Sequence, residues 1–85
     1  MTRIVKLYDQ LLLDRRRLSF AEFQKLIEAF GYRLNRIKGS HHTYRHFRIG
    51  ERMQIQPNGK EAKDYQVAQF LAIVVKHRLV LDEEE

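Results

Sequence analysis

The chain of 85 residues contains no cysteine, which excludes both a disulfide scaffold and a thiolate metal site. No apolar run approaches the roughly 20 residues that a membrane-spanning helix needs, and Met1-Thr2-Arg3 leads into no secretory signal. We therefore expect a cytoplasmic protein that does not insert into membranes. A chain of this length forms one domain with one modest core, too small for separate cofactor and substrate domains.

Acidic residues are scarce outside the C-terminus. Four of the 11 acidic residues form the tail at residues 82–85, so residues 1–81 carry 16 basic and 7 acidic residues, a net charge of +9. Between Arg33 and Lys63 there are eight basic residues and only two acidic ones. A local excess of positive charge attracts polyanions. The sequence therefore favours a nucleic-acid partner over a basic surface that only keeps the protein soluble.

Three segments have the apolar spacing of amphipathic helices. The first stripe consists of Ile4, Leu7, Tyr8, Leu11 and Leu12. Ser19 and Glu22 match a capping box, which predicts a second helix over residues 20–30 that ends at Gly31. A last helix is predicted over residues 64–78, with Asp64 as its N-cap. Its apolar stripe consists of Val67, Phe70, Leu71, Val74 and Val75.

Between the last two helices, the apolar pattern changes to a period of two. Strands are predicted over residues 32–37, 43–49 and 52–56, separated by turns at Gly39-Ser40 and at Gly50. Three short consecutive strands favour an antiparallel sheet with both flanking helices on one face and the other face free for a ligand. The predicted fold class is α+β with the order α-β-β-β-α. We divide the chain into a helical extension (1–18), a domain (19–81) and an acidic tail (82–85).

Three of the four histidines lie in the segment Lys38-Gly39-Ser40-His41-His42-Thr43-Tyr44-Arg45-His46. Histidine exchanges protons near neutral pH, and the basic neighbours suit a polyanion. A metal shared by His42 and His46 would need a helix, because in a strand they lie about 13 Å apart. Ser40 has no triad pattern around it and is interpreted as a turn residue. General acid–base cleavage of RNA fits better, because it needs histidine and nearby Lys or Arg but no metal.

Strand alternation divides this cluster between two faces. One face carries His41, Thr43 and Arg45, and the other carries His42, Tyr44 and His46. If Tyr44 packs against the helices, His41 and Arg45 lie on the free face. Phe47 and Ile49 have the opposite parity to Tyr44 and weaken this assignment, unless a bulge or the end of the strand intervenes. His46 is interpreted as a polar residue at the sheet edge.

These residues resemble a known family, the HicA-type mRNA interferase toxins of bacterial type II toxin–antitoxin systems. The similarity covers roughly residues 19–81. It is carried by Phe30-Gly31-Tyr32, by Lys38-Gly39-Ser40-His41-His42, by Tyr44-Arg45-His46 and by Gln54-Ile55-Gln56-Pro57-Asn58-Gly59-Lys60.

The resemblance implies a fold like that of a double-stranded-RNA-binding domain and metal-independent cleavage of mRNA by one strand histidine, with no cofactor. The histidine after Gly-Ser corresponds to His41, and His42 is the second choice. The RNA-binding residues expected from the motifs are Lys38, Gly39, Ser40, Arg45 and Lys60. The resemblance also implies neutralisation by a HicB-like antitoxin that covers the active site.

Two other functions remain open on the sequence alone. A non-catalytic RNA- or DNA-binding module would use the same basic face and tolerate the loss of both histidines. An interaction module would pair through the N-terminal helix, whose apolar stripe could equally cap the core. The oligomeric state is left open as well.

Overall fold

The computed structural model describes residues 3–14 and 17–81. The elements, in chain order, are α1 (Arg3–Asp14), α2 (Phe20–Ala29), β1 (Tyr32–Lys38), β2 (His41–His46), β3 (Arg52–Ile55), β4 (Pro57–Asn58), β5 (Glu61–Ala62) and α3 (Asp64–His77). Strands β1, β2 and β3 form one antiparallel sheet in that order, and β4 and β5 form a separate hairpin. The predicted α+β class is confirmed. The acidic tail lies outside the described residues, and the three-part division of the chain stays a prediction.

Helix α2 begins at the predicted capping box. The Ser19 side chain accepts the Glu22 N–H at 3.0 Å, and the Glu22 carboxylate accepts the Ser19 N–H at 3.0 Å. A cap of this kind stabilises a helix by about 1 kcal/mol. The helix ends at Ala29, followed by Phe30 and by Gly31 with a φ of +102°. The start and the glycine stop predicted for α2 are therefore confirmed.

Strand β2 ends earlier than the sequence predicts. It spans His41–His46, and residues 47–49 form a turn in which the Gly50 N–H donates to the His46 carbonyl at 2.9 Å. The left-handed φ of Gly50, +68°, lets the chain reverse into β3. The predicted strand over residues 43–49 was wrong at both ends. The parity conflict of Phe47 and Ile49 disappears because neither residue is in the strand.

Strand β1 contains a β-bulge. Tyr32, Arg33 and Leu34 pair in regular register with β2, but the register shifts between Leu34 and Arg36, so Asn35 is the extra residue. After the bulge, Arg36 pairs with Thr43 and the alternation resumes. Residues 33 and 36, which strict alternation would put on opposite faces, therefore lie on the same face.

Helix α3 completes the core through Phe70. This fully buried ring makes edge-to-face contacts with Phe23, Phe30 and Tyr32. The helix starts at Asp64 with Lys63 as its N-cap, so the prediction of Asp64 as N-cap was wrong by one residue.

The packed stripe of α3 also differs from the prediction at its C-terminal end. Its buried residues are Gln66, Val67, Phe70 and Val74, whereas Val75 is 78% exposed. Successive residues of an α-helix are rotated by about 100° about its axis. The rotation from Val74 to Val75 therefore carries Val75 out of the stripe centred on Phe70. Gln66 is tolerated in the core because its side chain accepts the Gln56 N–H at 3.1 Å.

Helix α1 packs on the domain. Leu11 is buried, and Ile4, Leu7 and Tyr8 lie against the same core. The Tyr8 ring makes an edge-to-face contact with Phe30 at 5.1 Å. Four of the five residues of the predicted stripe therefore pack on the core, as one of the two sequence interpretations proposed, whereas Leu12 is exposed. No helix within residues 3–14 and 17–81 combines the length and apolar content needed to cross a bilayer.

Replacing Leu11 with alanine is expected to lower the free energy of unfolding by about 2–5 kcal/mol, because the change leaves a cavity between α1 and the core. Leu12 is the matched control, since it is 50% exposed on the same helix. Replacing Leu12 with alanine should lower the free energy of unfolding by clearly less, because this side chain is already half exposed to solvent. Urea denaturation followed by circular dichroism measures both values. Equal losses would contradict the packing of α1 on the domain.

Candidate functional site on the open face of the sheet

The open face is the side of the three-stranded sheet opposite the helices. Its side chains are Arg33, Arg36, Lys38, His41, Thr43, Arg45, Arg52 and Gln54. Cross-strand pairs align them into three rows: Arg33, Arg45 and Arg52; then Arg36, Thr43 and Gln54; then Lys38 and His41. All except the half-buried Thr43 are exposed, and none is acidic. The open face is therefore a cationic surface with one histidine at one end.

Tyr44 fixes the orientation of β2. The ring is buried, and its hydroxyl accepts the Gln24 side-chain N–H at 3.1 Å and donates to a Glu28 carboxylate oxygen at 3.5 Å. Burial raises the pKa of Tyr44 above its ordinary value, so this hydroxyl keeps the proton that it donates. Because neighbouring residues of a strand alternate, this anchor turns His41 and Arg45 to the open face.

The two candidate catalytic histidines lie on opposite sides of the sheet. His41 is exposed and pairs with Lys38 across the turn between β1 and β2. His42 is half-buried on the helix side, where its ring meets the edge of Phe20 at 5.1 Å. The His42 Nδ1 lies 3.1 Å from the Ser40 carbonyl oxygen. Only His41 therefore presents its imidazole to the cationic surface.

The structure brings together some of the predicted RNA-binding residues. Lys38 and Arg45 share the open face with His41. Gly39, with a φ of +61°, and Ser40 form the turn beside His41. Lys60 lies outside the sheet, in the turn of the β4–β5 hairpin, where its carbonyl accepts the Phe20 N–H at 2.9 Å.

The interpretation of His46 as a polar edge residue was wrong. Its side chain is buried, and Nε2 lies 2.8 Å from the Phe30 carbonyl oxygen. Nδ1 accepts the Arg48 N–H at 3.1 Å, so we assign the ring hydrogen to Nε2. The ring also stacks on Phe47, with centroids 5.4 Å apart, and meets Tyr32 edge-on. His46 thus ties the end of α2 to the turn after β2.

Four residues of the open face were not identified from the sequence: Arg33, Arg36, Arg52 and Gln54. The alternation of Arg52-Met53-Gln54-Ile55 puts Arg52 and Gln54 on one side of β3, but only the strand register shows that this is the side of His41. Arg33 was hidden for another reason. Strict alternation would put it on the face opposite to Arg36, and only the bulge at Asn35 brings both residues onto the open face.

Comparison with known proteins identifies the family to which the chain belongs. The sequence model of a family described as the HicA toxin of bacterial toxin–antitoxin systems matches residues 20–74. This span covers well over half of the chain, begins at the first residue of α2 and includes every residue of the open face. No curated protein and no solved structure matches the chain.

Proposed function

Because the chain belongs to the HicA family of toxins of bacterial toxin–antitoxin systems, whose members are generally ribonucleases, we propose that it cleaves mRNA with His41 as the catalytic residue. The observation that carries this proposal is the position of His41. It is the one imidazole among the open-face side chains, the side-chain type most used for general acid–base catalysis, and it lies on a surface without carboxylates. His42 is the weaker candidate because it packs against Phe20.

The proposed reaction uses the 2′-hydroxyl of the RNA as the nucleophile. His41 accepts the 2′-hydroxyl proton while the 2′-oxygen attacks the adjacent phosphorus, forming the P–O2′ bond and breaking the P–O5′ bond. The leaving 5′-oxygen takes a proton from water, and the products are a 2′,3′-cyclic phosphate and a 5′-hydroxyl. Lys38, across the turn from His41, stabilises the charge that builds on the phosphate oxygens. Arg45 contacts the RNA backbone. Further contacts to the backbone, at the margin of the site, are proposed for Gly39, Ser40 and Lys60.

Incubation of the purified protein with single-stranded RNA and excess EDTA tests this proposal. We expect cleavage with unchanged rate, because each proposed chemical role belongs to a side chain or to water, and we expect 2′,3′-cyclic phosphate and 5′-hydroxyl ends. Cleavage that stops in EDTA and returns with added Mg²⁺ would contradict metal independence. Salt-dependent RNA binding without any cleavage would favour the non-catalytic RNA-binding module instead.

The cognate antitoxin is proposed to be a HicB-like protein that covers the open face. Five lysine and arginine side chains lie there, with no acidic residue among them, so an acidic partner surface would complement it. Binding there would place the partner over His41. We expect a stoichiometric complex with the antitoxin to lose RNA cleavage and to protect His41 from modification by diethyl pyrocarbonate. Inhibition by an antitoxin that leaves His41 accessible to this reagent would contradict the proposal.

A further inference from the structure

We propose that Arg33, Arg45 and Arg52 form an RNA-binding row, distinct from the cleavage site, that holds phosphates several nucleotides away from His41 and so makes cleavage depend on RNA length. The position of the cleaved bond beside His41 rests on the proposed function, whereas the arginine row follows from the structure of the sheet alone. Arg33 and Arg52 belong to none of the sequence motifs.

The row consists of one arginine from each strand of the sheet. Arg45 in the central strand pairs with Arg33 on one side and with Arg52 on the other. With neighbouring strands about 4.8 Å apart, the three Cα positions span about 10 Å across the sheet. All three side chains are exposed, and the guanidinium groups can turn toward a common ligand.

This arrangement is unfavourable for the protein alone. Like charges directly opposite each other on neighbouring strands repel. Within residues 3–14 and 17–81, no ion pair engages Arg45 or Arg52, and Arg33 donates only to the backbone carbonyl of Tyr32 at 3.1 Å. A ligand carrying successive negative charges would offset this repulsion. Guanidinium groups bind phosphate oxygens in a fork, so the chain of phosphates in RNA matches the row.

The row lies at the opposite end of the open face from His41. Arg45 and His41 are four residues apart on β2, which corresponds to about 13 Å. Between them lies the middle row, with one charged residue, Arg36, beside Thr43 and Gln54. At a rise of about 3.4 Å per stacked nucleotide, 13 Å corresponds to about four nucleotides. A dinucleotide bound at His41 cannot reach the row, whereas a longer strand reaches both.

The test compares two single-stranded substrates, a dinucleotide and an RNA of about ten nucleotides, long enough to pass the row on either side of the cleaved bond. The wild-type protein should cleave the longer RNA with the higher kcat/KM. Arg33→Gln and Arg52→Gln should each reduce this preference about threefold to tenfold through KM, because binding far from the reacting bond is lost equally in ground and transition state. Lys25→Gln is the control, since it removes one exposed charge from α2 and should keep the preference.

Binding measurements separate this inference from the proposed function. With the longer RNA carrying 2′-deoxy sugars, each arginine variant should reduce the slope of log Kd against log salt by about 0.7, the value for one phosphate contact on a single strand. This result supports the row even if the wild type cleaves nothing. Any of three results for the arginine variants would overturn the proposal that the row binds RNA. These results are an unchanged salt slope, an equal loss of kcat/KM on both substrates, or an unchanged RNA affinity with a loss of antitoxin binding.

Discussion

Replacing His41 with alanine is expected to reduce the rate constant of RNA cleavage by about 10²–10⁴-fold, the usual contribution of a positioned acid or base. The side chain is exposed and makes no ring contact within the described part of the chain, so its removal should leave stability almost unchanged. Single-turnover cleavage measures the rate constant, and thermal unfolding verifies the fold. A reduced rate constant with wild-type RNA affinity would identify a chemical role rather than a binding role.

His42→Ala is the matched control for this experiment. Because His42 packs against Phe20 on the helix side, this variant should lose some stability and retain most of its cleavage rate. The opposite pattern, with His41→Ala active and His42→Ala inactive, would move the catalytic role to His42. Full activity in the double variant would exclude histidine catalysis altogether.

Replacing His46 with alanine is expected to lower the free energy of unfolding by about 3–5 kcal/mol, the range for truncating a large buried ring. The change would leave a cavity and remove the partners of the Phe30 carbonyl and the Arg48 N–H. Leaving a buried polar group unpaired costs about 1–3 kcal/mol. The expected loss is a large part of the total stability of a small domain, which is about 5–15 kcal/mol. Urea denaturation at low temperature measures it.

Two further variants test the origin of this loss. Phe47→Ala removes the stacked neighbour of His46 but is expected to cost much less, because Phe47 is 65% exposed. Gly31→Ala should also destabilise the fold, since φ is +102° and a Cβ there would lie 2.8 Å from the His46 Nε2. Because residues 31 and 46 touch, their combined effect should be smaller than the sum of the two losses. Equal losses for His46→Ala and Phe47→Ala would contradict the structural role of His46.

The parts of the fold that could be predicted are those encoded locally. The capping box at Ser19 and the glycine stop at Gly31 each depend on residues within a few positions of one another. The placement of His41 opposite Tyr44 needed only strand alternation and the assumption that a tyrosine flanked by polar residues packs inward. The same reasoning divided the two candidate histidines between the faces of the sheet.

The parts that could not be predicted depend on pairing between distant residues. Nothing in the neighbourhood of His46 indicates that its acceptor is the carbonyl of Phe30, 16 residues earlier. The arginine row required the register of three strands, and that register depends on the bulge at Asn35 and on the turn that ends β2 at His46. Alternation identifies which residues share a face within one strand, but it does not align one strand with the next.

The bulge at Asn35 makes the length of β1 as important as its composition. If Asn35 paired in strict alternation instead of bulging, Arg36 and Lys38 would turn toward the side now occupied by Ile37. Deleting the Asn35 codon, by contrast, would remove only the extra residue and leave both basic residues on the open face. Deleting Ile37 would turn Lys38 to the opposite face, so the damage caused by a one-residue deletion in this strand depends on which side of the bulge loses the residue.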